Sequence, residues 1–328
     1  MAQRSIGVIV VTWRAAGLIE ACLKPILASP LRPRVLVVNS SSNDGTVEKA
    51  KGLGAETWVV PRADFNHGAT REAARRRLGT DIVVMLTPDA HATDTGFLGR
   101  LVRPILEEGA AVAYGRQSPR TDADPIESLN RAFNYPNEPE TRSAATCEAQ
   151  GASNHFCSNA CAAWSQEALD AVGGFPTTLV SEETIAAALL LEQGRTIAYA
   201  ADAEVVHSHP TGLVGDFRRQ FDVGLTRAVF RDVLLAREAD EVRGRAYAKA
   251  LLGGVLRERP ALLPYAFLDT AVRYLGYRLG RIGERLPRRL AASFSGQDFF
   301  WGSSHEDAFF GGGGGTVEAG GERFRDAA

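Results

Sequence analysis

Four apolar runs rich in β-branched residues mark the N-terminal part of the chain: Ile6 to Thr12, Arg34 to Val38, Glu56 to Val60 and Asp81 to Leu86. Between them, segments 16–28, 44–52 and 67–78 carry apolar positions at helical spacing. The pattern predicts strands and helices in strict alternation, β-α-β-α-β-α-β. Strands apolar at nearly every position need cover on both faces, and right-handed helical crossovers supply it, so the expected product is an α/β fold with an open, mainly parallel sheet. Ligands of such sheets collect at the carboxyl ends of the strands. Two polar segments fall there, Asn39-Ser-Ser-Ser-Asn-Asp-Gly-Thr46 and Thr87-Pro-Asp-Ala-His91.

In the first segment Asp44 and Gly45 precede an apolar helix, which suggests a tight turn and helix amides open to an anion such as a nucleotide phosphate. An ordinary capped loop would read the same way. The turn after the first strand, Thr12-Trp-Arg-Ala-Ala-Gly17, lacks G-x-G-x-x-G, and G-x-x-x-x-G-K-[ST] occurs nowhere, so dehydrogenase and P-loop readings drop out. The glycine run Gly311 to Gly315 has neither strand nor helix to frame a phosphate.

Composition narrows the partners. The 328 residues are 45% hydrophobic and 23% charged, enough for one large domain or two ordinary ones. Thirty-seven basic against 39 acidic residues give a net charge of −2, which makes nucleic acid an unexpected partner. Cys22, Cys147, Cys157 and Cys161 follow no metal-finger or disulfide spacing, and the strand pattern begins too early for a secretory leader, so a cytoplasmic location is expected.

Further along, several motifs recur in one order: "VLVVNSSSNDGTVEKA", "DFNHGATREAA", "VVMLTPDAH", "AYGRQSPRTDADPIE", "FNYP", "FCSNACAAW", "GGFP", "SEETIAAALLLEQGRTIAYAADAEVVHSH" and "FRRQFDVG". From about residue 5 to 230 the chain resembles the inverting GT-A glycosyltransferases of family 2, within them the bacterial rhamnosyltransferase-like branch. The resemblance implies a nucleotide-sugar donor held by Asn39 and Ser40 near the base, with Thr12 beside them, and by Arg71 near the nucleotide. It also implies a divalent metal, Mn²⁺ or Mg²⁺, on Asp89. Two departures stand out: position 39 is usually Asp in the family, and the metal motif reads Asp-x-His in place of Asp-x-Asp. A carboxylate beside a neutral imidazole suits Mn²⁺ better than Mg²⁺. His91 is therefore a candidate ligand, with a solvent-facing loop residue as the alternative.

Strand alternation in Ala203-Glu-Val-Val-His-Ser-His209 would put His207 and His209 on one face. By resemblance His207 is the late metal or diphosphate ligand, and His209 lies toward the acceptor or diphosphate. Inverting transfer to an alcohol needs a carboxylate base, and Val180-Ser-Glu-Glu-Thr-Ile-Ala186 supplies two acids at a helix start with Ser181 as the expected cap. By resemblance the base is the second, Glu183, with Glu182 kept in view because Glu for Asp lengthens the arm. Arg116 and Arg120 are candidates for the diphosphate or an acidic acceptor, and Asn159 for the acceptor side. The aperiodic stretch 121–154 reads as a binding loop.

Beyond about residue 210 the pattern turns helical. Ala261 to Ile282 carries an apolar face interrupted by Arg273, Arg278 and Arg281, amphipathic but too charged to span a bilayer. It suits a membrane surface, a second copy of the chain or a domain contact. The expected division is a GT-A catalytic domain over 1–210, a helical region over 211–290 and a tail over 291–328 that is disordered beyond Asp298-Phe-Phe-Trp-Gly302. The function expected is metal-dependent, inverting transfer of L-rhamnose from dTDP-rhamnose to a lipid-linked or surface glycan, cytoplasmic or at the inner face of the plasma membrane. A UDP-hexose donor, or a nucleotide-sugar-binding protein impaired in turnover, stands as the alternative.

Overall fold

A computed structural model describes residues 4–146, 155–208, 212–235 and 240–311. The alternation expected from the sequence is present as β1 (Ile6–Thr12), α1 (Ile19–Leu27), β2 (Arg34–Asn39), α2 (Thr46–Gly52), β3 (Glu56–Val59), α3 (His67–Leu78) and β4 (Ile82–Leu86). Every residue of β1 and β4 is buried, because both faces of the sheet are covered. Val8 and Val10 point into a core closed by α1 and by α4 (Phe97–Glu107), while Ile9 and Val11 point into one closed by α3. Burying each such side chain favours folding by roughly 1.5–3 kcal/mol.

The second half of the sheet departs from the parallel pattern. After β5 (His91–Ala92) come β6 (Val112–Ser118), α5 (Pro125–Asn134), β7 (Glu140–Arg142), β8 (Cys161–Ser165), α6 (Gln166–Ala171), α7 (Glu182–Glu192) and β9 (Ile197–Val206). Strand order is β3-β2-β1-β4-β8-β6-β9-β5, with β7 on β9. The sheet is parallel from β3 to β4, whereas β8 runs antiparallel between β4 and β6. Strands β6 and β9 are again parallel to each other. The carboxyl ends of β1, β2, β4, β6 and β9 and the amino end of β8 therefore share one edge.

The stretch 121–154 is not uniformly a loop: it contains α5, whose Asp124 carboxylate accepts from the Ile126 and Glu127 amides at 2.8 and 2.9 Å ahead of Pro125 in the first turn. That Asp-Pro-x-Glu start was readable in the sequence. Residues 147–154 lie outside the described residues.

The helical region comprises α8 (Gly212–Val229), α9 (Arg231–Leu234), α10 (Asp240–Glu258), α11 (Leu263–Gly280), α12 (Arg288–Phe294) and α13 (Ser304–Gly311). Helices α8 and α11 touch through backbone: a Cβ on Gly276 or Gly280 would lie 2.4 or 2.2 Å from the carbonyl oxygens of Phe217 and Phe221. Arg273 of α11 bridges Asp216 of α8 at 2.8 Å and Asp269 at 2.7 Å. The tail expected to be disordered is packed as far as residue 311. Phe300 and Phe309 are buried with Phe221, Leu225 and Ala291, and the His305 ring meets the Asp64 carbonyl at 2.9 Å. The apolar residues at 299, 300, 309 and 310 outweigh the local glycine content. Residues 312–328 lie outside the described residues.

Candidate active site

Beyond Leu86 the chain crosses the sheet edge to pair β5 with β9, His91 opposite Val206. That antiparallel register brings Asp89 to His207, the first residue after β9, with Asp89 Oδ2 and His207 Nε2 3.4 Å apart. The other ring nitrogen, Nδ1, lies 2.8 Å from Gln117 Oε1. Gln117 is buried and its amide orientation is fixed: Oε1 accepts from Arg131 Nη1 at 2.7 Å, a group that can only donate, and Nε2 donates to Ser158 at 3.0 Å. His207 therefore donates through Nδ1 and turns Nε2 toward Asp89. Burial opposes ionisation of Asp89, but the contact with His207 outweighs it and its carboxyl lies well below the usual range.

A fixed carboxylate and an imidazole nitrogen set by a second hydrogen bond suit a borderline divalent ion such as Mn²⁺. Among the described residues no third His, Cys, Asp or Glu completes a cluster. His91, expected as a candidate ligand, turns its Nε2 to the Pro88 carbonyl at 3.2 Å, because the turn that presents Asp89 curls that ring onto its own backbone. His209 lies outside the described residues.

A second group forms where α3 meets α7. Gly68 permits it, since a Cβ there would lie 1.9 Å from the Pro176 carbonyl oxygen. Arg71 Nη1 reaches Glu182 Oε1 at 2.6 Å, and Asn159 Nδ2 reaches the same oxygen at 3.1 Å while Asn159 Oδ1 accepts from Trp164 at 2.9 Å. All three side chains are buried. Burial disfavours the Glu182 charge, but Arg71 outweighs it and the pKa is lowered. The same burial, helped by Arg71, pushes His67 down to about 4. Glu183, one residue on and partly exposed, moves the other way: burial first, then the Glu182 charge, push its carboxyl up to about 8. Two adjacent acids are thus driven apart in proton affinity.

In this structure Arg71 pairs with Glu182, and Asn159 bridges Glu182 and Trp164. Ser181 is no helix cap; it sits at φ 66° with no side-chain cap bond, and α7 begins with Glu182 directly. Asn39 is wholly buried, donating to Thr12 at 3.2 Å and Ser42 at 2.9 Å and accepting from the Ser42 amide at 2.8 Å. Thr12 and Ser40 are buried with it, bonded to Val38 and Thr12 carbonyls at 3.1 and 3.4 Å. The three brace the loop that follows β2. The anion at the α2 start is the chain's own: Asp44 accepts from the Ala16 amide at 2.9 Å and from Thr46 and Ser42 hydroxyls at 2.7 and 2.8 Å. Arg116 lies 4.0 Å from Glu204, and Arg120 lies 3.6 Å from both Asp122 and Glu127, so both guanidiniums already face carboxylates.

Sequence reading missed other residues at this edge. Trp13 follows β1 with its ring 47% exposed, and the Arg62 guanidinium lies 4.2 Å from its centroid and 4.7 Å from that of Phe299. An aromatic directly after the first strand was the available signal for Trp13; Arg62 and Phe299 meet it only in three dimensions. Arg131, bonded to Gln117 at 2.7 Å, and Arg219 carry charges that act on the two carboxylate groups. Arg131 feels both Asp89 and Arg219, and Arg219 steadies the Glu183 charge.

Comparison with known proteins is consistent with this edge. Residues 7–173 match the family described as Glycosyl transferase family 2. The chain is 31% identical over 300 residues to the O-antigen chain rhamnosyltransferase RfbN of Salmonella typhimurium, covering 90% of this chain and 96% of that protein. It is 32% identical over 272 residues to the O-antigen chain rhamnosyltransferase WbaN of Salmonella anatum, covering 82% and 86%. Among solved structures, the mannosyltransferase PcManGT of Pyrobaculum calidifontis, in complex with GDP-Man and Mn²⁺, superposes with a TM-score of 0.59 at 20% identity, covering 86% of this chain and 88% of that one. At that identity the likeness speaks to the fold, which is GT-A-like. The chain belongs to glycosyl transferase family 2.

Proposed function

We propose that this glycosyltransferase is metal-dependent and inverting, and that it moves L-rhamnose from a thymidine diphosphate donor to a growing glycan of the O-antigen type. The sugar and acceptor rest on the two rhamnosyltransferases aligned above, which match over most of both chains. The observation that supports the chemistry is the Asp89–His207 contact at 3.4 Å beside the strand ends, with Glu183 as the raised-pKa carboxyl at the start of α7.

Asp89 Oδ2 and His207 Nε2 would hold the cation. A bound divalent ion neutralises charge building on the departing diphosphate. Gln117 keeps the His207 nitrogen lone pair directed at that position, and Arg131 keeps Gln117 from turning. On the far side Glu183, in its ionised form, takes the acceptor hydroxyl proton as the oxygen bonds to the anomeric carbon and the nucleoside diphosphate leaves from the opposite face. A carboxylate with a pKa near 8 is a stronger base than an exposed one, at the cost of being largely protonated below that pH. Glu182 keeps its charge through Arg71, and that charge raises its neighbour. The three buried free cysteines, Cys22, Cys157 and Cys161, fit work in a reducing cytoplasm.

The test is a thermal-shift and transfer assay with dTDP-rhamnose, a UDP-hexose and GDP-mannose, each with Mn²⁺, Mg²⁺ or chelator. Stabilisation and transfer are expected with dTDP-rhamnose and Mn²⁺, with Glu183→Gln keeping stabilisation and losing transfer. Full transfer in chelator, or by Asp89→Ala, would overturn the metal role. Slow turnover unchanged in Glu183→Gln would favour an impaired nucleotide-sugar-binding protein.

A further inference from the structure

A helix that packs on a globular core by one stripe is expected to present polar residues on the other. Helix α11 does not. In its buried stripe Asp269, Gly276 and Gly280 face α8, and Ala266 packs with Leu251 and Val255 of α10. At 3.6 residues per turn the opposite stripe is Phe267, Leu268, Ala271, Tyr274, Leu275 and Arg278. Phe267, Leu268, Tyr274 and Leu275 are 58%, 49%, 55% and 60% exposed. Leu256, near the end of α10, adds a further side chain at 58%. Large exposed side chains aligned in this way mark a surface used for contact.

The outer stripe ends in Arg278, and the segments flanking α11 are basic although the chain as a whole carries a net charge of −2. Arg257, Arg259, Arg285 and Arg289 are exposed there, against Glu258 and Glu284. Glu284 is moreover occupied by Arg231 at 2.5 Å. No helix among the described residues is long and apolar enough to cross a membrane. An apolar stripe with basic flanking segments on a helix that cannot span is the arrangement that lies in a headgroup layer.

We propose that the outer face of α11 docks on a lipid bilayer carrying anionic headgroups. A second copy of the chain is the weaker occupant, because a two-fold contact through this stripe would set one group of arginines against another. The position of the face suits the reaction. Helix α8 carries Arg219, whose charge acts on Glu183, and packs directly on the inner side of α11, the helix that bears the docked face. An acceptor sugar on a lipid carrier would then be presented to the site from the surface on which the protein rests. That last step rests on the proposed function; the docking itself does not.

Flotation of the full chain with phosphatidylcholine vesicles, with and without phosphatidylglycerol, tests it. Binding is expected to vesicles containing phosphatidylglycerol and to weaken with added salt. The double substitution Phe267→Glu/Leu275→Glu should abolish flotation, and Arg278→Gln and Arg285→Gln should each weaken it about fivefold. All sites are exposed, so the variants should keep the wild-type circular dichroism and metal-dependent donor hydrolysis in solution. Two results would overturn the proposal: flotation of the Phe267→Glu/Leu275→Glu protein at the wild-type level, or no flotation of wild type together with a concentration-dependent dimer that these substitutions abolish. Flotation is read without any transfer reaction, so failure of the proposed chemistry would leave it intact.

Discussion

Glu183 and Glu182 have the same side chain at adjacent positions, yet their surroundings give them opposite proton affinities. The Arg71 guanidinium at 2.6 Å holds the first ionised, and the resulting charge combines with burial to keep a proton on the second up to about pH 8. If Glu183 must be ionised to act, kcat/KM should rise with pH and level off above about 8. Glu183→Gln should lose roughly 10²- to 10⁴-fold in kcat with donor affinity kept, which steady-state rates and calorimetric titration would show. Gln117 acts through another residue. Gln117→Leu removes the acceptor that fixes the His207 tautomer and should weaken Mn²⁺ binding about 10- to 100-fold, read by electron paramagnetic resonance titration of the ion without substrate. These roles were only partly legible beforehand. Asp89, His207 and Glu183 were visible as polar residues at a strand end or helix start, whereas Gln117 and Arg131 matter because β6 and α5 carry them under the His207 ring.

Among elements, the junction of α3 with α7 concentrates the most exposed risk to stability. Arg71 and Glu182 are both buried, so removing either leaves an uncompensated charge. Arg71→Met should cost about 3–5 kcal/mol in urea denaturation, and Arg71→Met/Glu182→Leu should recover part of it. Phe309 of α13 fills the cluster with Phe221 and Phe300, and Phe309→Ala should cost about 3–5 kcal/mol by the same measurement. Sequence periodicity located β1 to β4 and α1 to α3 within a few residues: β1, β2 and β4 bury continuous runs, whereas β3 is an edge strand with no buried residue. It failed for α5, whose start is carried by Asp124 and Pro125 rather than by periodicity. It failed also for α13, whose Phe309 is buried by Phe221 and Leu225 of α8, Ala291 of α12 and the nearby Phe300 and Phe230 rings.

For the molecule as a whole, buried carboxyls with raised pKa, Glu183 and Asp222 foremost and Asp269 with them, set the pH dependence of folding near neutrality. Glu183 is pushed to about 8 and Asp222, buried where its Oδ2 accepts from the Gly296 amide at 2.9 Å, to about 7. Both bind protons more tightly folded than unfolded and favour folding less as pH rises toward 8. Burial holds His67 and His155 down at about 4, which acts in the opposite sense up to about pH 6.5, so stability should fall as pH rises from about 6.5 to 8. Asp44 and Asp89, whose pKa values are lowered, act in the opposite sense and only at lower pH, because above about 5 they are ionised in both states. Urea midpoints across this range should therefore slope downward, and Glu183→Gln/Asp222→Asn should flatten the slope.

The sequence by itself determined the alternating α/β order, the polar strand ends, the family resemblance and the absence of a span in the α11 segment. Each of these is a property of near neighbours or of a fixed motif order. The tertiary structure alone decided the antiparallel insertion of β8 and the crossing that carries Asp89 to His207. It also decided the internal contacts of Arg71, Asn39 and Asn159, and the outward apolar face of α11. A side chain's partners depend on which distant segments the sheet brings to one edge, and chain order does not encode that distance.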